Sequence, residues 1–165
     1  MLALLDNDLA GASTIAGLEL TDFYTSGDIT WLWRIREKQI LENPESENWA
    51  ASVVVDDETG VAVGHAGFHA PPDENGMVEI GYSIDPRERR QGFARATVAA
   101  LLARAASDDR VVTVRASISP DNTASLATIA GYGFEEVGEQ IDEEDGLEVV
   151  FERQVRRPAK GNVAP

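Results

Sequence analysis

Apolar residues recur along the chain with a helical period in some segments and a strand period in others. The helical segment before Asn43-Pro44 should end there, because a proline cannot continue it. Helices are predicted at Leu2–Ala16, Ile29–Leu41, a segment beginning near Gly92, and Asn122–Ile129. Strands are predicted at Ala50–Val55, Val61–Phe68, Met77–Ile84, Val111–Ile118, Phe134–Ile141 and Leu147–Val155.

Two of these segments have faces that the pattern assigns residue by residue. In "MVEIGYSI" one side of the strand is bulky and carries Val78, Ile80, Tyr82 and Ile84. Its other side is small and polar and carries Glu79, Gly81 and Ser83. The alanine-rich helix after it has one apolar stripe, made by Val98, Leu101, Leu102 and Ala105.

Length and composition fit one globular α/β domain with a mixed sheet. The chain has 165 residues, 43% hydrophobic and 26% charged, without an internal repeat or a low-complexity linker. We expect a single domain over residues 1–157 and a loose tail over residues 158–165. The "DEEDG" segment lacks calcium-loop spacing and is interpreted as a hairpin tip.

The charge and the residue inventory exclude several kinds of function. With 29 acidic against 14 basic residues, a net charge of −15 argues against nucleic-acid binding. Its simplest meaning is solubility, and attraction of a cationic substrate is the functional alternative. The absence of cysteine excludes disulfides, thiolate metal sites and a cysteine nucleophile, and two histidines make a histidine-rich metal site improbable. The apolar runs are too short to span a bilayer and no signal peptide is evident, so we expect a cytoplasmic protein without membrane contact.

Basic residues concentrate in "RERRQGFARA", where four arginines surround Gly92: Arg87, Arg89, Arg90 and Arg95. This segment joins a predicted strand to a predicted helix, where unpaired N–H groups and the helix dipole can hold an anion. A pyrophosphate fits that combination. The structural alternative is a surface turn whose arginines pair with Asp85 and Glu88. The three-glycine dinucleotide fingerprint and the Walker sequence are both absent.

Two linked blocks resemble the GNAT superfamily of acetyl-coenzyme A dependent N-acyltransferases. "EIGYSIDPRERRQGFARATVAALLARA" contains its Arg/Gln-x-x-Gly-x-Gly/Ala loop as Arg89, Gly92 and Ala94. "VRASISPDNTASLATIAGYGFEEVGE" is similar to the branch of ribosomal-protein N-terminal (alanine/serine) acetyltransferases through Asn122, Ser125, Gly133 and Phe134. Together the blocks cover about residues 77 to 140.

The resemblance implies a fold and a coenzyme site. The fold would be a mostly antiparallel twisted sheet of about six to seven strands, flanked by helices and splayed at the coenzyme. Pantetheine would contact Tyr82, Ser83 and Ile84. The pyrophosphate would be held by Arg89, Arg90, Gln91, Gly92, Phe93, Ala94 and Arg95. Asn122 would contact pantetheine or cap its helix. Relatives usually begin with a strand; here it is missing, the start is shortened, or Leu18–Phe23 replaces it.

The candidate catalytic residues are Glu79 and Ser125. Glu79 would be the general base, directly or through water, since relatives often carry a carboxylate on this strand; the alternative is a solvated strand glutamate. By the same resemblance, Ser125 would protonate or hydrogen-bond the coenzyme sulfur, and the alternative is a first-turn hydroxyl that supports the helix cap. Many relatives use a tyrosine as the general acid, seven residues after the asparagine, and this chain has Ile129 at that position.

Histidines and tryptophans offer further candidates. His65 is interpreted as a satisfied core histidine, and His69 as a residue of the substrate mouth or simply of a loop. Core packing is expected for Trp31 and Trp33, although they could border an acceptor pocket.

The predicted function is direct transfer of an acetyl group from acetyl-coenzyme A to a primary amine. The acceptor is a protein N-terminus or a small cationic amine, and the protein is a monomer or homodimer. The alternative is a noncatalytic acyl-coenzyme A binding or sensing module.

Overall fold

A computed structural model describes residues 1–142 and 146–155 of the chain. The described helices are α1 Leu2–Leu5, α2 Leu9–Ala16, α3 Gly27–Glu42, α4 Phe93–Ser107 and α5 Thr123–Ile129. The described strands are β1 Ser52–Val55, β2 Ala62–Phe68, β3 Met77–Ile84, β4 Thr113–Ile118, β5 Glu135–Asp142 and β6 Gly146–Gln154. Short 3-10 turns lie at Asp22–Thr25, Pro44–Asn48 and Pro86–Glu88.

The strands form a six-stranded, mostly antiparallel sheet in the order β1-β2-β3-β4-β6-β5. Strand β1 runs antiparallel to β2, and β6 runs antiparallel to both β4 and β5. Strands β3 and β4 are parallel, and their ladder has only three residue pairs, from Met77↔Thr113 to Glu79↔Arg115. The predicted α/β class is confirmed, and the short ladder agrees with the splay that the resemblance implies.

The first of two compact units contains Met1–Pro71 and Gly81–Thr97. Helices α1 to α3 and the 3-10 turn Asp22–Thr25 between α2 and α3 enclose a core made of Leu4, Ala12, Leu20, Tyr24, Ile29, Trp33 and Ala62. A buried hydrogen bond of 2.7 Å from the Tyr24 hydroxyl to the Gly64 carbonyl ties this turn to β2. Strand β2 is buried at every position, which explains its nearly continuous apolar sequence.

The second unit contains Pro72–Ile80 and the described residues from Val98 onward. The predicted helix stripe of Val98, Leu101, Leu102 and Ala105 is buried, with exposed fractions of 0 to 6%. It belongs to a core that also contains Val78, Ile80, Val111, Val114, Ala116, Ile118, Ile129 and Val150. On the bulky side of β3, Val78, Ile80 and Ile84 are buried and Tyr82 is half-buried.

The predicted first helix is wrong in one respect, because it is two helices. Asn7 adopts a left-handed φ of 57°, which ends the helical path after α1. Asp8 then caps α2, since its Oδ1 accepts a hydrogen bond of 2.8 Å from the Gly11 N–H. Short polar residues in "DND" provide both the interruption and the new start.

The remaining boundaries differ from the prediction by a few residues. The segment Leu18–Phe23 is not a strand; it is a loop that enters the 3-10 turn at Asp22–Thr25. Strand β4 begins at Thr113 rather than Val111. Residues 143–145 of the predicted hairpin tip and residues 158–165 of the predicted loose tail lie outside the described residues.

Candidate functional site

The segment that joins β3 to α4 is held by the buried carboxylate of Asp85. Asp85 is 1% exposed. Its Oδ1 accepts from the Arg87 N–H at 3.0 Å, and its Oδ2 accepts from the Thr21 hydroxyl at 2.7 Å. The Asp85 N–H in turn donates to the Val63 carbonyl at 2.9 Å. These bonds anchor the start of the turn to β2 and to the segment before α3.

The backbone N–H groups that follow this anchor, over residues 89–94, have no acceptor among the described residues. The Glu88 N–H donates to the Asp85 carbonyl at 2.8 Å, and the Ala96 N–H donates to the Gly92 carbonyl at 3.1 Å. Between them, in the described part of the chain, the N–H groups of residues 89–94 make no well-formed hydrogen bond. Arg90 and Gly92 have left-handed φ values of 68° and 93°. Alternating handedness of this kind makes a concave array of N–H groups that suits an anion.

Among the described residues, the side chains of Arg87 and Arg89 have partners other than Asp85 and Glu88, the two that the structural alternative supposed. Arg87 Nη2 lies 2.6 Å from Asp22 Oδ1 on the surface. Glu88 accepts a hydrogen bond of 3.0 Å from the side chain of Gln91. Arg89 donates through Nε to the carbonyl of Ile84 at 3.1 Å, which ties the turn to the end of β3.

Strand β3 carries the predicted contacts for pantetheine at its end and the candidate base near its start. Tyr82 and Ser83 are half-buried, and Ile84 is buried. The Tyr82 hydroxyl oxygen is buried and has no hydrogen-bond partner among the described residues. Glu79 is half-buried and lies opposite Arg115 in the ladder to β4.

Helix α5 begins with a cap supplied by its own chain. Asn122 Oδ1 accepts from the Ser125 N–H at 3.1 Å, so the capping role considered for Asn122 is confirmed. Asn122 is exposed and Ser125 half-buried. Ile129, at the position where many relatives have tyrosine, is 2% exposed.

The predicted site residues fall into the two units. The first unit holds Tyr82, Ser83, Ile84, Arg89, Arg90, Gln91, Gly92, Phe93, Ala94 and Arg95. The second holds Glu79, Asn122 and Ser125. Among the described residues no group of three or more His, Asp or Glu side chains could hold a metal ion. In the same part of the chain, no helix has the length and apolarity that crossing a membrane requires.

The sequence prediction missed a buried arginine in the first unit. Arg36 is 6% exposed, and its Nη1 donates at 2.7 Å to both the His69 carbonyl and Gln39 Oε1. Burial lowers the pKa of Arg36. A signal was available, since Arg36 lies three residues after Trp33 and seven after Ile29, on the buried face of α3.

His65 is a core residue, as predicted. It is 7% exposed, stacks on Phe23 at 5.8 Å and meets the edge of Trp33 at 5.6 Å between ring centroids. Burial, and then the charge of Arg36, lowers the pKa of His65 to about 4, so the ring is neutral at pH 7. The prediction that it is satisfied is wrong, because Nδ1 has no partner among the described residues.

The two tryptophans of α3 have different environments. Trp33 is 3% exposed and donates through Nε1 to the Tyr24 carbonyl at 3.0 Å, which confirms its core role. Trp31 is 47% exposed, so the core packing predicted for it is wrong.

Known proteins with similar sequences are N-acetyltransferases. An uncharacterized N-acetyltransferase of Bacillus subtilis, YjdG, is 30% identical over 95 residues, which are 58% of this chain and 56% of that protein. An L-2,4-diaminobutyric acid acetyltransferase of Streptomyces anulatus is 32% identical over 61% of this chain and 63% of its own length. The L-2,4-diaminobutyric acid acetyltransferase of Streptomyces coelicolor is 30% identical over 68% of this chain and 72% of its own length. The chain thus spans less than two thirds of the length of the first two of these relatives.

Solved structures share the fold. A ribosomal-protein-alanine N-acetyltransferase from Brucella melitensis superposes with a TM-score of 0.57 at 25% identity, over 72% of this chain and 76% of that one. A phosphinothricin acetyltransferase from Sinorhizobium meliloti, in complex with acetyl-coenzyme A, superposes with a TM-score of 0.62 at 18% identity, over 98% and 91%. The model of the acetyltransferase (GNAT) domain matches residues 19–135. The chain therefore belongs to the GNAT acetyltransferase family, which the sequence resemblance predicted.

Proposed function

We propose that this protein transfers an acetyl group from acetyl-coenzyme A directly to a primary amine. The observation that carries the proposal is the run of N–H groups over residues 89–94, which make no well-formed hydrogen bond among the described residues. N–H groups at the start of a helix bind anions, and the pyrophosphate of coenzyme A is an anion. Because the chain belongs to the GNAT family, we assign this pyrophosphate to the N–H groups of residues 89–94. The phosphinothricin acetyltransferase with the same fold is a complex with acetyl-coenzyme A.

The coenzyme is held by the turn and by the end of β3. The N–H groups of residues 89–95 bind the pyrophosphate oxygens, and Arg89 and Arg90 add positive charge in a chain of net charge −15. Tyr82, Ser83 and Ile84 bond the pantetheine amides through their peptide groups, as a strand would. The pairing of β3 with β4 ends at Glu79, although β3 continues to Ile84. This supports the proposed contact, because the ladder to β4 does not include Tyr82–Ile84. Asn122 adds a contact to pantetheine through its amide nitrogen, because its Oδ1 already caps α5.

Two protein side chains handle the protons. Acetyl-coenzyme A supplies an activated acyl group, and the attacking amine must be neutral when it forms the C–N bond. Glu79 removes the amine proton, directly or through a water molecule. Ser125 gives a proton to the coenzyme sulfur as the C–S bond breaks. The buried Ile129 has no proton to donate, which supports Ser125 rather than a tyrosine in this role.

A small cationic amine is the acceptor that we favour. Three of the relatives are named L-2,4-diaminobutyric acid acetyltransferases, and one of them aligns with 68% of this chain. A net charge of −15 favours a cationic acceptor over an anionic one. The second candidate is a protein N-terminus, which the similarity to the Brucella ribosomal-protein-alanine N-acetyltransferase supports.

The test combines calorimetry with an amine panel. Coenzyme A should bind, and free thiol should appear with L-2,4-diaminobutyrate, spermidine, an aminoglycoside or a peptide with N-terminal alanine. Glu79→Gln should lower kcat about a hundredfold and Ser125→Ala about tenfold, with the coenzyme Kd within about twofold of wild type. The control Glu136→Gln, on exposed β5, should change neither quantity.

Each contrary outcome has a defined meaning. Unchanged turnover in both variants would remove the roles given to Glu79 and Ser125. Coenzyme binding without thiol release for any amine would favour the noncatalytic acyl-coenzyme A module. Absence of coenzyme binding would refute both functions.

A further inference from the structure

His69 is held directly after β2 by a buried arginine. Its side chain is exposed, and its carbonyl accepts a hydrogen bond of 2.7 Å from Arg36 Nη1. The same nitrogen donates to Gln39 Oε1, and no carboxylate among the described residues pairs with Arg36. Burying an unpaired guanidinium is costly, so its bond to the His69 carbonyl is a strong restraint on that backbone.

The imidazole of His69 lies over Gly81 of β3. A Cβ added to Gly81 would come within 2.9 Å of His69 Nε2 and 3.3 Å of Cδ2. These two atoms are the only neighbours of that Cβ position within 4 Å in the described part of the chain. Glycine at position 81 is thus what allows the ring to approach the strand.

Gly81 lies next to the part of β3 that we assign to pantetheine. It lies on the small, polar side of the strand with Ser83, one residue before the Tyr82–Ile84 segment that we assign to pantetheine. With the pyrophosphate at residues 89–94 and pantetheine along Tyr82–Ile84, as proposed above, the acyl group would lie near Gly81. An amine that attacks the acyl group there would meet the His69 imidazole, which lies over Gly81.

We propose that His69 is a substrate-contacting residue that accepts a hydrogen bond from the acceptor amine and orients it toward the acyl carbon. The inference rests on the proposed acetyl transfer and deepens it. His69 is the contact that fixes the amine, Glu79 remains the proton acceptor, and Arg36 is a positioning residue that acts through the His69 backbone. Gly81 keeps the space for the ring.

A double-mutant cycle on His69 and Gly81 tests this assignment with L-2,4-diaminobutyrate as acceptor. His69→Ala should raise the amine KM about tenfold, leave kcat within about threefold, and leave the coenzyme Kd within about twofold, because only an acceptor hydrogen bond is lost. Gly81→Ala should raise the amine KM by a similar factor, since its Cβ displaces the ring. In the His69→Ala background, Gly81→Ala should add less than about a twofold change. The control Asn75→Ala, in the same loop, should leave KM unchanged.

Two results would overturn the proposal while leaving acetyl transfer intact. One is an unchanged amine KM in His69→Ala. The other is an equal effect of Gly81→Ala in both backgrounds, which would mean that the glycine serves something other than the histidine.

A second measurement needs no acceptor. The chain has two histidines, so the imidazole signals in a ¹³C-labelled sample are two, and buried His65 is the internal control. The His69 signal should differ between the coenzyme A and acetyl-coenzyme A complexes, whereas the His65 signal should not. If calorimetry shows binding and the His69 signal is the same in both complexes, the inference fails and the proposed function stands. If neither ligand binds, both fail.

Discussion

The N-termini of α4 and α5 both follow a strand of the sheet, yet their backbone N–H groups have opposite fates. At α5 the Asn122 side chain accepts from the Ser125 N–H, and the Thr123 N–H donates to the Asp121 carbonyl at 2.9 Å. Helix α2 has a similar cap in Asp8. At α4 the N–H groups of residues 89–94 make no such bond among the described residues. This chain can therefore cap a helix with its own side chains, but the described residues supply no such cap at α4.

The start of α4 also carries backbone strain that a simple turn would avoid. Arg90 has a left-handed φ of 68°, a conformation that is unfavourable for a long side chain. Gly92, with φ of 93°, relieves the same problem two residues later. An open and partly strained turn is typical of a ligand site, whereas the start of α5 is capped by its own side chain.

The largest expected effect comes from Gly92→Glu. The substitution puts a carboxylate beside the open N–H groups and forces a nonglycine residue to a φ of 93°. We expect the Kd for coenzyme A to rise about a hundredfold, measured by calorimetry, because like charges repel and the N–H array is distorted.

Gly60→Glu is the matched control for that variant. Gly60 has a φ of 72°, and like Gly92 it has no atom within 4 Å of an added Cβ. It lies in the turn between β1 and β2, so it shares the strain and the added charge but not the proposed site. Equal loss of coenzyme binding in both variants would show that the α4 turn has no special role.

A smaller effect is expected from Arg90→Asn, which separates strain from binding. Asparagine tolerates left-handed backbone better than arginine, so stability should be unchanged or rise by about 0.5 kcal/mol. Loss of one exposed positive charge should raise the coenzyme Kd roughly fivefold at low salt, and less at high salt. Thermal denaturation and calorimetry at two salt concentrations measure the two effects.

Lys38→Asn is the control, because it removes a positive charge from the surface of α3 and should leave the coenzyme Kd unchanged. A lower coenzyme Kd in Arg90→Asn would contradict the proposed contact.

The same contrast explains how much of the molecule the sequence predicted. The bounds of β3 and the start of α4 were predicted to within one residue, because alternation, a local motif and a helical stripe lie within one continuous segment. The Asn122 cap was recognised for the same reason, since capping depends on residues three apart.

Contacts between distant segments were beyond the sequence. Arg36 meets the His69 carbonyl from 33 residues away, and the imidazole of His69 meets Gly81 across a loop. No local period reports such pairs, because burial of a polar side chain depends on a partner that only the tertiary fold supplies. The break between α1 and α2 was missed for a different reason, namely that apolar spacing outweighed the turn residues Asn7 and Asp8.

The smallest effect is expected at the capped helix, where Asn122 has two roles to separate. Asn122→Ala removes the cap and should lower the free energy of unfolding by about 1 kcal/mol. Asn122→Asp keeps an oxygen for the Ser125 N–H, so its stability should stay within about 0.5 kcal/mol of wild type. Both variants lose the amide nitrogen that we assign to pantetheine, so both should raise the coenzyme Kd about threefold. If Asn122→Asp matches wild type in both measurements, Asn122 only caps α5 and makes no contact with pantetheine.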